Sequence, residues 1–302
     1  SNYARRYQKD VGVEGDERWS LLSHFARLVE KLMPDVVTME NVPTVTKHAV
    51  FTRFKATLQR LGYSVSVEVV DCSKYGLPQR RRRTVLLASR HGEIKLRAPF
   101  ASETRTVADV FKGLPILEHG GVDTKDRLHT ASRLSELNVK RIMFSKPGGT
   151  WRDWPAELVA ECHKRPTGKT YPGVYGRMRP NEPAPTLTTQ FFGFGNGRFG
   201  HPTQQRAISL REGALLQGFP VDYSFVPDDQ PVKFKALGRM IGNAVPVDLG
   251  RVIGQSILDH VKEHRTRHSA GTDIQQVGPS SPSNQKRGGR DGQKRASEHT
   301  TA

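Results

Sequence analysis

Cysteine is scarce in this chain, with only Cys72 and Cys162 in 302 residues. Their lack of paired spacing excludes a disulfide framework or a cysteine zinc cluster and favours a reducing, intracellular setting. Long apolar runs are also missing. Nothing approaches the roughly eighteen residues that span a bilayer, and no charged-then-apolar signal opens the chain, so a soluble, cytoplasmic protein without membrane or metal is expected. Acidic charge is in deficit: 30 Asp and Glu stand against 47 Lys and Arg, a net charge of +17. Many weak attractions to phosphates add up, so such a balance favours a polyanion, and nucleic acid leads as partner. Residues 261–302 hold eight basic and four acidic residues, so most of the excess lies elsewhere.

Apolar residues at Leu21, Leu22, Phe25, Leu28, Val29 and Leu32 follow the rhythm of a helix with one buried face, stopped by Pro34. The run 35–39 reads as a buried strand that delivers Glu40-Asn41-Val42-Pro43 to its C-terminal end, where open α/β sheets bind ligands. A helix near 51–61 and strands near 65–69 and 84–88 come next. Between about 97 and 202 periodicity vanishes into glycine, proline, arginine and aromatics, which predicts a second, irregular lobe. Ser209-Leu-Arg-Glu212 predicts a capping box, with Gly218-Phe219-Pro220 as its stop. A closing helix from about Pro246 should bury Leu249, Val252, Ile253, Ile257, Leu258 and Val261. From His264 the composition predicts a disordered basic tail.

Three polar segments stand where the pattern calls for core. Glu40 ends a strand. Gln79-Arg80-Arg81-Arg82-Arg83 precedes one, and alternation sends Arg81 and Arg83 to one face and Arg80 and Arg82 to the other. Arg211–Pro220 and Ile241–Pro246 read alone as helix, turn, loop and helix. In the irregular lobe, Arg177, Arg179, Arg198 and the glycines from Gly193 to Gly200 are candidates to approach phosphates or base edges.

The order and spacing of these segments resemble the DNA cytosine-5 methyltransferase family across roughly residues 1–262. The resemblance rests on Glu-Asn-Val at 40–42, Tyr-Gly-Leu-Pro-Gln-x-Arg-x-Arg at 75–83, Arg-Glu-x-x-x-Leu-Gln-Gly-Phe-Pro at 211–220 and Gly-Asn-Ala-Val-Pro at 242–246. It implies an α/β fold: the second half of a Rossmann-like S-adenosylmethionine-dependent methyltransferase domain plus a smaller irregular target-recognition lobe. The implied boundaries are 1–96 and 204–263 for the catalytic domain, 97–203 for target recognition and 264–302 for the tail.

The implied activity is methyl transfer from S-adenosylmethionine to C5 of a cytosine flipped out of double-stranded DNA. A thiolate adds to C6, and a carboxyl at N3 lowers the barrier. The resemblance gives that role to Glu40, with Asn41 holding local geometry. It places Arg83 at the cytosine O2, Arg81 beside it orienting the carboxylate or a phosphate, and Gln79 at the flipped nucleotide or the recognition loop. Leu21 and Asn243-Ala244-Val245 match cofactor positions, and Thr186-Leu187 matches an element near the DNA face.

The match is incomplete. The family nucleophile sits directly after a proline, whereas Cys72 is preceded by Asp71 and Cys162 by Glu161, so neither carries over. The glycine-rich cofactor turn and the acidic strand end that holds the ribose also have no counterpart. Ser1-Asn2-Tyr3 resembles the segment just downstream of the Pro-Cys loop, so the expectation is a fragment, or one half of a split enzyme whose complementing N-terminal chain supplies the rest, and inactivity alone. Alternatives are a catalytically incompetent sequence-specific DNA-binding protein and a tRNA cytosine methyltransferase on the same scaffold.

Overall fold

A computed structural model describes residues 17–99 and 104–274. Its N-terminal part and its last helix are organised around a three-stranded sheet. Helix α1 (Glu17–Leu32) leads to β1 (Val36–Asn41), then come α2 (Ala49–Arg60), β2 (Ser64–Asp71) and β3 (Arg82–Ser89). The spatial order is β1-β3-β2, with β3 antiparallel to both neighbours.

Strand alternation sorts the apolar side chains to two faces. On one, Val37, Met39, Leu86 and Ala88 pack beneath α1 and α2, where Phe25 and Phe54 stack with centroids 5.3 Å apart. On the other, Val70, Val85 and Leu87 meet Leu249, Val252 and Ile253 of the closing helix α8 (Val247–Ile274). His260 Nε2 lies 2.7 Å from Ser89 Oγ and fastens that helix to the end of β3.

Helices are short through the middle of the chain: α3 (Val107–Phe111), α4 (Glu136–Phe144) and α5 (Glu161–Lys164), then α6 (Leu210–Leu216) and α7 (Phe234–Asn243). The expected capping box opens α6: Ser209 Oγ accepts from Glu212 N, and Glu212 accepts from Ser209 N. The helix ends at Gly218 in the left-handed region, φ +87°. One core joins Val107, Met178, Leu187 and Phe191 to Ile208, Leu210, Leu237 and Ile241. The expected boundary near 203 therefore falls inside a shared core. A smaller cluster gathers Trp151, Trp154, Phe194 and Leu158.

Three expectations need correction. In α1 the buried stripe is Leu22, Phe25, Ala26 and Val29, while Leu21, Leu28 and Leu32 are exposed. In α8, Leu258 points outward. The chain is helical from 264 to Ile274 rather than disordered; the rest of the expected tail, like Ser1-Asn2-Tyr3, lies outside the described residues. Among the described residues, no helix is long and apolar enough to cross a membrane, and no group of three or more His, Cys, Asp or Glu could hold a metal ion.

Candidate active site

A cleft of about 520 Å³ opens at the C-terminal end of β1, between Glu40, Asn41, Arg81 and Arg83 on one side and Thr186, Leu187 and Asn243 on the other. Register explains the polar pair at its floor. Glu40 is opposite Val85, and Arg83, two residues before Val85, shares its face and reaches Glu40 diagonally. Arg83 Nε lies 2.7 Å from Glu40 Oε1. Apart from this close ion pair, Oε1 is buried with no well-aligned hydrogen-bond donor among the described residues. Burial pushes the Glu40 carboxyl above its usual range, against the pull of Arg83 and Arg81. The arrangement sets an acid whose proton is held more tightly than usual in the wall of a cleft, beside a fixed positive charge.

The arginine segment alternates as expected: Arg81 is buried and Arg83 half-buried, whereas Arg80 and Arg82 are exposed. Arg81 donates from Nη1 to Leu187 O at 3.1 Å and from Nη2 to Gly242 O at 3.1 Å, while its Nε stays buried without a partner. It bolts three segments together and presents one unused donor. Asn41 Oδ1 accepts from Val42 N at 2.8 Å.

Gln79 was expected at the nucleotide or the recognition loop. It is fully buried, and it ties Leu187 of the irregular lobe to the end of α6. Its Nε2 donates to Leu216 O (3.0 Å) and Gln217 Oε1 (2.8 Å), and its Oε1 accepts from Leu187 N (2.9 Å). A direct DNA contact by Gln79 is therefore corrected to a structural one. The Leu187 side chain is likewise in the core, so only its backbone faces the cleft; Thr186 is exposed, with Oγ1 donating to Arg80 O.

The lobe arginines divide. Arg177 is 3% exposed, and its guanidinium is spent on Ile142 O, His201 O, Gln204 O and the Gln205 side chain. It braces the lobe and cannot read DNA. Arg198 donates to Gly149 O and is half-buried. Arg179 is exposed and pairs with Glu182. Of the glycines, Gly195 lies under the Tyr175 ring, where a Cβ would be 2.9 Å from it, so packing explains it without a phosphate.

Of the expected cofactor positions, Asn243 lines the cleft and Val245 is exposed beside it, whereas Leu21 is exposed on α1 and does not line the cleft. A neutral amide next to exposed apolar side chains suits a ligand with a polar end and an apolar body. Residues that the sequence did not single out hold this loop. Gln217 Nε2 donates to Ile241 O and Ala244 O (2.7 and 3.3 Å), and Gln217 O accepts from Val247 N. The signal was present, since Gln217 sits in the 211–220 segment, but its partners are set by tertiary structure.

Cys72 lies on the same sheet face as Arg83, yet burial pushes its thiol up to about 12. As a thiol it is inert near neutral pH. Cys162 is exposed in α5.

The chain matches the profile of the C-5 cytosine-specific DNA methylases over residues 8–259. It is 53% identical over 245 residues to the type II methylase M.HgiDII of Herpetosiphon aurantiacus, covering 80% of this chain and 69% of that protein. It is 32% identical to the type II methyltransferase M1.BsuMI of Bacillus subtilis, covering 79% and 54%, and 32% identical to M1.HphI of Haemophilus parahaemolyticus, covering 80% and 62%. The chain thus spans between half and seven-tenths of these relatives. In fold it is similar to the crystal structure of a DNA modification methyltransferase encoded within an E. coli prophage, with a TM-score of 0.61 at 22% identity over 82% of this chain and 75% of that one.

Proposed function

Because the chain belongs to the C-5 cytosine-specific DNA methylase family, we propose that its cleft takes a cytosine flipped out of double-stranded DNA and serves methylation at C5 as part of a type II modification system. The observation that carries this reading is Glu40: a half-buried carboxyl held above its usual range, with a buried oxygen lacking a donor, at a strand end beside Arg83. A protonated carboxyl there can hold a proton at the base N3, and Arg83 can offset the negative charge that develops at O2. Arg81 acts by position: its bonds to Leu187 O and Gly242 O fix the cleft walls. Target recognition would fall to the irregular segment within 97–203, with Thr186 at the cleft, although this segment shares its core with residues 208–241.

The family depends on S-adenosylmethionine, which supplies an electrophilic methyl group when bound. Asn243, Ala244, Val245 and the exposed Leu21 are the residues here that would hold part of it. The reaction also needs a thiolate. With Cys72 buried as a thiol and Cys162 away from the cleft residues in sequence and pattern, we infer that residues outside these 302, in the same polypeptide or a complementing one, provide it. The isolated chain is then inactive.

The test is labelled methyl transfer to DNA by this chain, with and without a separately made polypeptide bearing a Pro-Cys loop and a glycine-rich cofactor turn. Transfer only with both, reduced about 10²- to 10⁴-fold by Glu40→Gln with DNA binding intact, supports the reading. Tight, salt-sensitive DNA binding without transfer would favour a second reading, a non-catalytic DNA reader, which the two unsuitable cysteines make specific.

A further inference from the structure

Next to the base cleft lies a second cavity of about 610 Å³, lined by Asp71, Ser73, Arg80, Arg82, Arg83 and Thr186. Arg83 and Thr186 line both, so the two cavities share a wall. Strand alternation, which sends Arg81 and Arg83 toward the sheet, leaves Arg80 and Arg82 facing solvent at this second cavity. Asp71 is opposite Arg82 in the register, but its carboxylate accepts from Ser73 N and Oγ instead. Among the described residues Arg82 has no ion pair. The cavity therefore carries cationic charge that its own acids leave partly uncompensated.

Arg80 is occupied in an unusual way. Glu182, in the lobe, is held between two arginines: Oε2 lies 2.8 Å from Arg80 Nη2 and Oε1 lies 2.7 Å from Arg179 Nη1. Its backbone is anchored, with Glu182 O accepting from Val107 N, and Arg179 is held over Gly148, where a Cβ would be 2.1 Å from Nε. The Arg179 hydrogen bond, then the charges of Arg179 and Arg80, hold the Glu182 carboxyl below its usual range. A two-oxygen anion thus bridges two exposed guanidiniums beside a basic cavity. A phosphodiester presents the same geometry to arginine pairs.

We infer that the second cavity binds a backbone phosphate of nucleic acid flanking the base in the first cleft, and that Glu182, anchored by Arg179, is a carboxylate placeholder which pre-positions Arg80 and yields it to that phosphate. The inference rests on the nucleic-acid reading of the neighbouring cleft and adds the subsite and its gate. In the free protein Glu182 keeps Arg80 from collapsing onto other acids. On binding, the carboxylate must release or share Arg80, which weakens attachment to non-cognate DNA whenever the duplex cannot press a phosphate into the cavity.

The experiment is binding of a fluorescein-labelled mixed-sequence duplex to the protein, monitored by anisotropy between about 50 and 200 mM salt, for wild type, Glu182→Gln, Arg82→Ala, and Glu182→Gln in an Arg80→Ala background. Glu182→Gln should tighten binding about fivefold at low salt and steepen the log–log salt slope by about 0.9, the contribution of one further phosphate contact. Arg82→Ala should weaken binding and flatten the slope by a similar amount, and the Glu182→Gln gain should shrink in the Arg80→Ala background. If Glu182→Gln leaves binding unchanged or weakens it, the placeholder is wrong, whether or not DNA still binds. If the wild type binds no duplex at all, the nucleic-acid reading falls with it, so the two failures are told apart.

Discussion

Replacing Glu212 by Gln is the sharpest test of how the methylase scaffold is held. Glu212 and Arg206 are 1% and 0% exposed in their side chains, and they meet as a two-pronged pair: Nη1 to Oε2 at 2.8 Å and Nη2 to Oε1 at 2.7 Å. The same carboxylate caps α6 through Ser209 N at 2.7 Å. The guanidinium has further bonds to Leu117 O, Gln204 Oε1 and Ala207 O, which satisfy hydrogens but do not neutralise charge. An amide in place of the carboxylate removes that charge and sets its NH2 against a donor. Breaking a buried pair on one side costs about 3–5 kcal/mol, so Glu212→Gln should lower stability by about 4 kcal/mol, or the melting temperature by about 8–16 °C for a chain this size. Denaturant melts measure it, with Arg206→Met combined with Glu212→Leu as the control: removing both charges should be less damaging than removing one. A Glu212→Gln loss below about 1 kcal/mol, or a double substitution worse than the single, would refute the reasoning.

Burial and close approach set three other outcomes. Burial, helped by Arg206 and Arg177, lowers His201 to about 4 while Glu212 opposes; the unfolded imidazole titrates near ~6.5. Only the unfolded state takes up the proton between those values, so stability should fall by up to about 3 kcal/mol as pH drops from about 6.5 to 4, and His201→Asn should flatten that limb in pH-dependent melts. Gly242 sits against Thr188, where a Cβ would lie 2.5 Å from the carbonyl oxygen; Gly242→Ala should cost about 2 kcal/mol by overpacking, readable from melts, and, if Asn243 holds the cofactor as proposed, raise the S-adenosylmethionine KM in initial rates of the complemented enzyme. For Glu40, the raised carboxyl predicts a rate that falls as pH rises through a value above the ordinary carboxylate range, and this limb should vanish in the residual activity of Glu40→Gln.

Much of the fold was legible because its signals were local. Spacing at 22, 25 and 29, a Ser-x-x-Glu box and valine alternation each report one element's own geometry. The face of α1 was not. Leu21, Leu28 and Leu32 form a helical stripe as regular as Leu22, Phe25 and Val29, rotated by about 100°, and only the position of α2 and the sheet selects the second stripe for burial. Arg177 failed for a related reason. A sequence assigns arginine to solvent by default, and burying one requires acceptors from distant chain, here Ile142, His201 and Gln204, whose convergence no local pattern encodes. Glu40 and Arg83 were legible in type and in strand position, but their contact depends on the β1–β3 register.

That register also explains why motifs far apart in sequence converge. Gln79 satisfies Leu187 N, Leu216 O and Gln217; Arg81 satisfies Leu187 O and Gly242 O; Gln217 satisfies Ile241 O and Ala244 O. Each is a buried polar side chain whose partners, mostly backbone groups, belong to other segments, and leaving any of them unpaired costs about 1–3 kcal/mol. Most motif residues therefore act as bolts between the arginine strand, the Thr186-Leu187 segment and the Gly242–Val245 loop. Among the described residues, Glu40 Oε1, Arg81 Nε and Thr84 Oγ1 are the buried side-chain atoms of this lattice without a hydrogen-bond partner; Glu40 and Arg81 line the same cleft, whereas Thr84 does not. Such a pair in one cleft suits a ligand with a proton-sharing atom beside an oxygen acceptor, the pattern that the N3 and O2 edge of the proposed cytosine substrate would present.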